Sequence, residues 1–244
     1  MRSPDNIRAV EALGIDLMGF IFWPKSSRYV HERPAYLPTH CRRVGVFVNE
    51  AVETVRRIAD DYALDIIQLH GSESPEYVSQ LHEWPVIKAF NIATPDDFAQ
   101  TTAYEGLADT FLFDAKGRSV GGNGIPFDWT VLSSYHGSTP YLLSGGIGPD
   151  DAPRLRAFFR SASSPVSVPP AAFSVGSGSA AAMPPASVNP PCPQGPVGSG
   201  ISAVKSPAAK CLGIDLNSRF ETEPALKDPI LLRRFLSQLS HQPL

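Results

Sequence analysis

No stretch of this 244-residue sequence reaches the roughly 18 consecutive apolar residues that a membrane-spanning helix needs. The N-terminal stretch MRSPDNIRAVEALG lacks the apolar core of a secretory signal and reads instead as a capped helix. Cysteine is scarce. Cys41, Cys192 and Cys211 are scattered, which excludes a disulfide framework and gives no metal-ligand spacing. Charged residues make up only 18% and the net charge is −3, so nothing pulls the chain toward nucleic acid or an anionic membrane. A small-molecule partner in a reducing, cytoplasmic setting is the expectation. Any phosphate on that partner has to be gripped locally, by backbone amides or a few basic side chains.

What the sequence has is a large apolar share, 43%, laid out as short runs separated by amphipathic stretches. Residues 16–22 (DLMGFIF), 43–48 (RVGVFV), 65–69 (DIIQL) and 86–90 (VIKAF) read as buried strands. So do 110–113 (TFLF), 140–144 (PYLLS) and 211–216 (CLGIDL). Near-continuous apolar strands alternating with helices are what a parallel sheet covered by helices requires. Ser3-Pro4, Ser74-Pro75-Glu76 and Thr94-Pro95-Asp96 are helix openings, with a capping hydroxyl followed by proline at the first helical position. Asp228-Pro229 opens the last helix, where Ile230, Leu231, Phe235, Leu236 and Leu239 fall at helical spacing. The expected fold is α/β, a single barrel domain over 1–244, in keeping with the roughly 250 residues such barrels use. The chain opens on a helix with no strand before it.

Residues from about 161 to 206 break the pattern. They are Pro, Ser, Gly and Ala with little else, and Lys205 is their only charge. Such a segment buries too little to offset its ordering entropy and is expected to be a disordered insertion, either a tolerated surface excursion or a proline-rich ligand for a partner.

In a parallel barrel the reactive groups sit where strands end. Asp114 ends the sixth barrel strand, ahead of the glycine-rich Gly121-Gly122-Asn123-Gly124, and is either a helix cap or an acid under a closing loop. Arg28, in the loop PKSSRYV, is either solvated or poised for bidentate pairing with a carboxylate. Gly145-Gly146 and Asn217-Ser218 follow the last two strands, where such barrels hold phosphate on backbone amides; the glycines either serve that or only make a tight turn, and Arg219 either adds a contact or faces solvent. His70 is a packed strand-end histidine or a pocket residue; Asp215 is a further pocket candidate.

The strings GFIFWPKSSRYV, RVGVFVN, QLHG, the aspartate in FLFDAK, GGNGIPFDW, SGG and IDLNS occur in this order at barrel spacing. Together they resemble phosphoribosylanthranilate isomerase over nearly the whole chain outside the insertion. The resemblance implies a TIM (β/α)8 barrel lacking its first strand, and an isomerase of tryptophan biosynthesis. It implies the Amadori rearrangement of N-(5′-phosphoribosyl)anthranilate, with no metal and no organic cofactor. It gives Asp114 the role of general acid, Arg28 the anthranilate carboxylate, His70 and Asp215 the substrate pocket, and Gly145, Gly146, Asn217 and Ser218 the phosphate. A monomer or homodimer is expected.

The family's first strand ends in a Cys-Gly pair whose cysteine is the general base, and Met1-Arg2-Ser3-Pro4 aligns with the residues just after that pair. Cys41 and Cys211 stand at the wrong ends of their strands to replace it, and Cys192 lies in the insertion. A start read too far downstream is one explanation. A relic that binds a phosphorylated ligand without chemistry is another, and a related sugar-phosphate isomerase barrel a third. A barrel missing a strand is expected to expose two unpaired edges.

Overall fold

The computed structural model describes residues 1–114, 129–161, 172–175 and 210–240. Its first element is helix α1 (Pro4–Glu11), which starts where the capping residues place it. The Ser3 hydroxyl accepts from the Asn6 amide at 3.4 Å, Pro4 opens the helix and Asp5 sits in the first turn. Gly14, at φ 74°, carries the turn beyond it. Strands β1 (Leu17–Ile21), β2 (Arg42–Phe47), β3 (Ile66–Leu69), β4 (Val86–Asn91), β5 (Thr110–Asp114) and β6 (Tyr141–Ser144) come next, each within a residue or two of its apolar run. Helix α2 (Val52–Tyr62) and the short α3 (Pro75–Ser79) connect β2 to β3 and β3 to β4. The segment opened by Thr94-Pro95 is a 3-10 helix, Pro95–Tyr104, rather than an α-helix. After β6 come a 3-10 turn (Pro149–Asp151), α4 (Ala152–Ser161), β7 (Ala172–Val175) and β8 (Cys211–Asp215). The chain ends with a 3-10 turn (Ser218–Phe220), the hairpin β9 (Glu221–Glu223) and β10 (Leu226–Lys227), and α5 (Pro229–Ser240).

The strands close into a barrel in the order β1-β2-β3-β4-β5-β6-β8-β7, all neighbours parallel. Side chains alternate across it. Leu17, Val44, Ile66, Ile87, Leu112 and Leu142 point inward and pack together low in the barrel. Residues of the other parity, such as Met18, Phe20, Ile67, Phe111 and Tyr141, face outward into the larger layer under the helices. In β3 to β6 and β8 the inward residues nearest the C-terminal ends are polar, Gln68, Asn91, Asp114, Ser144 and Asp215, whereas β1 and β2 end in Ile21 and Val46.

One expectation about the barrel needs correction. The position between β8 and β1 is not empty, because β7 fills it, pairing Ser174 with Leu17 on one side and with Asp215 on the other. β7 also lies inside the segment expected to carry no order. The physical reason is the slot itself: β1 and β8 each present a row of backbone donors and acceptors that demand partners. A four-residue segment without periodicity of its own can satisfy both. The rest of that segment, 162–171 and 176–209, lies outside the described residues, and so does the disordered insertion expected there.

Closure through β7 is testable. Proline at position 173 removes a backbone donor from the ladder. Phe173→Pro is expected to lower unfolding free energy by about 1–3 kcal/mol in urea titration. An unchanged midpoint and slope would show that the barrel closes without this strand.

Candidate active site

Parallel registration brings the polar strand ends to one level. Asp114 is in register with Asn91 on one side and Ser144 on the other. Gly145 and Gly146 follow Ser144 directly, so the candidate acid and the candidate phosphate turn share one rim. They are neighbours.

The Asp114 carboxylate is about one-fifth exposed (20%), and its Oδ2 lies 3.6 Å from His70 Nε2. His70 Nδ1 is 3.1 Å from the side-chain nitrogen of Gln68. An amide nitrogen only donates, so Nδ1 accepts and the neutral ring carries its proton on Nε2, facing Asp114. Gln68 is buried and its Oε1 has no partner.

Asp215, at the end of β8, is buried; Ser144 Oγ donates to its Oδ2 at 2.8 Å, and its Oδ1 has no partner. Burial pushes this carboxyl above the usual range, and the Ser144 hydrogen bond and the charge of Lys227 only partly oppose it.

Gly145 and Gly146 take φ of 87° and 70°, a region that side-chain-bearing residues rarely enter. Among the described residues their amides have no hydrogen-bond acceptor. The loop after β8 lies against this turn. A Cβ at Gly148 would sit 2.5 Å from Arg219 Nε, so the Arg219 guanidinium lies against Gly148, just beyond the glycine turn, while the residue stays solvent-exposed. Asn217 turns its side chain away, its Oδ1 accepting from Lys227 Nζ at 3.1 Å, which leaves its backbone and that of Ser218 to line the loop.

Arg28 is held, not free. Its Nε lies 3.0 and 2.9 Å from the two oxygens of Glu221, and its Nη2 is 2.7 Å from Oε2. Lys227 Nζ reaches the other side of Glu221 at 3.0 Å. Burial pushes the Glu221 carboxyl up, but the hydrogen bonds and charges of Arg28 and Lys227 outweigh it and hold the group below the usual carboxylate range. Burial lowers Lys227, with Glu221 opposing.

Sequence reasoning passed over Glu221, Lys227, Gln68 and Ser144. Gln68 and Ser144 were findable, being the inward-parity residues at two strand ends. Lys227, in EPALKDP, carries no local signal, because its partners are brought to it by the β9–β10 hairpin. Cys41 and Cys211 stand at the N-terminal ends of β2 and β8, opposite this rim, and burial pushes each thiol up to about 12. Cys192 and the Gly121–Gly124 loop lie outside the described residues. Among those described, no group of three or more His, Cys, Asp or Glu side chains could hold a metal ion. No described helix is long and apolar enough to cross a membrane.

The family model for N-(5′-phosphoribosyl)anthranilate isomerase matches residues 2–162. A relative of that name from Phocaeicola vulgatus is 39% identical over 244 residues, covering 99% of this chain and 96% of its own length. This chain belongs to the N-(5′-phosphoribosyl)anthranilate isomerase family. The fold agrees: the Thermotoga maritima phosphoribosyl anthranilate isomerase superposes with a TM-score of 0.69 at 24% identity, over 98% of this chain and 95% of that one. A second solved phosphoribosyl anthranilate isomerase, in complex with reduced 1-(o-carboxyphenylamino)-1-deoxyribulose 5-phosphate, superposes with a TM-score of 0.65 at 22% identity over 98% of each chain.

Asp215 yields a stability prediction for this family member. Its folded pKa is raised, so ionising it costs stability once pH exceeds the unfolded value, about 3.9. Asp215→Asn removes that cost. The variant is expected to melt above wild type at pH 7 to 8, with the gain vanishing as pH falls below about 4. A difference in melting temperature that does not vary with pH would contradict the strained carboxylate.

Proposed function

We propose that this rim carries out the Amadori rearrangement of N-(5′-phosphoribosyl)anthranilate to 1-(2-carboxyphenylamino)-1-deoxyribulose 5-phosphate, a step of tryptophan biosynthesis. The observation that carries the reading is the register of Asp114 beside Ser144-Gly145-Gly146, which places an acid next to an amide-rich turn inside a barrel of this family. Asp114 donates its proton to the ribose ring oxygen and the sugar opens to a Schiff base. A base then takes the C2 proton to give an enolamine, which tautomerises to the ketone.

Binding geometry supports the order of groups along the site. Arg28 takes the anthranilate carboxylate, the amides of Gly145, Gly146 and Ser218 with the Asn217 backbone take the phosphate, and His70 and Asp215 line the sugar between them. The base that takes the C2 proton has no thiol to supply it at this rim among the described residues. No cofactor enters these steps. A cytoplasmic setting and a monomer or homodimer belong to the same proposal.

Turnover of the full chain, followed by the fluorescence of the substrate, tests the reading directly. Asp114→Asn is expected to lower kcat by about 10²–10⁴-fold while the reduced product analogue still binds. Near-wild-type turnover would remove Asp114 from the acid role. Arg28→Ala is expected to raise KM by about tenfold or more, since one charge-assisted pair is worth about 1.5–3 kcal/mol. Wild-type binding of the analogue without any turnover would instead favour a ligand-binding relic.

A further inference from the structure

Arg28 is gripped along one edge only. Its Nε and Nη2 face Glu221, and among the described residues its Nη1 has no partner. A guanidinium offers donors in a fixed planar fork, so filling the Nε/Nη2 edge leaves the Nη1/Nη2 edge as the remaining place for a second carboxylate. Glu221 is well fixed for this work, with a side chain only 4% exposed. It starts β9, paired across the hairpin with Lys227, whose backbone is bracketed by Asn6 at 2.8 and 2.9 Å. Phe220, beside it, is fully buried against Phe235.

Lys227 extends the grip to the other end of the site. Its Nζ donates to Glu221 Oε1 at 3.0 Å, to Asn217 Oδ1 at 3.1 Å and to the Leu216 carbonyl at 3.2 Å. One buried ammonium therefore ties the loop after β8 to the carboxylate that holds Arg28. Arg28, Glu221 and Lys227 together carry one net positive charge, which one incoming carboxylate would neutralise.

We infer that Glu221 is a positioning residue of this site: with Lys227 it fixes Arg28 relative to the Asn217 loop, so that the site selects ligands bearing a carboxylate and a phosphate at a set separation. This rests on the isomerase reading above. Glu221 touches no reacting atom. It acts through Arg28, and its effect should appear in selectivity for the carboxylate rather than in chemistry.

Calorimetry on the full chain with two probes tests it: reduced 1-(o-carboxyphenylamino)-1-deoxyribulose 5-phosphate and the phenylamino analogue lacking the carboxyl group. Wild type is expected to prefer the carboxylated probe. Glu221→Gln is expected to weaken that probe by about tenfold or more, with the other changed less than about twofold. Should Glu221→Gln fold poorly because Lys227 is left buried and unpaired, the double variant Glu221→Gln/Lys227→Met removes both charges and should lose the same preference. A folded variant that keeps the wild-type preference overturns the inference, as does equal weakening of both probes. Wild type binding neither probe would bring down the isomerase reading itself, and a wild type indifferent to the carboxyl would overturn the inference alone.

Discussion

In a closed parallel barrel an inward-facing side chain at a strand's last position has one place to go, the mouth. That constraint organises the rest of the molecule. The register Asn91–Asp114–Ser144 is set in the layers directly beneath the site, by Ile87, Leu112 and Leu142 packing in the interior. A slip of one residue in β5 would turn Asp114 out under the helices and bring Phe113 into the mouth. The apolar floor thus does more than supply stability: it fixes which carboxylate stands at the mouth. The same parity puts Gln68 and His70 on one face of β3, so the ring nitrogen's proton is oriented by a neighbour two residues away.

Buried charge is the second theme, and the protein uses it in two ways. Behind β3 and β4, Lys88 pairs with Glu73 at 3.1 Å while Glu73 also accepts from the amides of Asn49 and Gly71. Burial lowers Lys88, the Glu73 carboxylate opposes that, and the cluster is neutral overall. It locks two loops and asks for nothing further. The cluster of Arg28, Glu221 and Lys227 is built from the same groups but holds one cation more than it has anions. A surplus charge kept at the mouth costs desolvation in the free protein, a cost that a ligand anion recovers on binding.

Much of the fold was legible because buried parallel strands are apolar runs of set length and their helices carry openings such as Ser3-Pro4 and Ser74-Pro75. The rim residues Asp114, His70, Asp215 and the glycine pair were legible for the same reason, since each sits at a strand end that the run itself announces. The failures have a common cause. β7 has no signal of its own because its order comes from the two strands it joins. The grip on Arg28 was invisible because Glu221 and Arg28 are 193 positions apart and meet only when the barrel closes. Local chemistry writes local structure into the sequence; contacts made by closure are written nowhere until the ends meet.

The unpartnered atoms bear on where function resides. Buried side-chain nitrogens and oxygens are nearly always paired, and three among the described residues are not: Arg56 Nε, Gln68 Oε1 and Asp215 Oδ1. Two of the three lie on the inward face at the strand ends, one on each side of Asp114. Both are acceptors, and the amides of Gly145 and Gly146 beyond them are donors without acceptors among the described residues. Packing alone gives no reason for such a gathering, because each unpaired group costs stability of about 1–3 kcal/mol. The open glycine amides could meet an anion, whereas Gln68 Oε1 and Asp215 Oδ1 are themselves buried and would need the rim to open before a donor reached them. The cost of that poorly satisfied rim is borne by the stable apolar floor beneath it, whose packing holds the strand ends in place.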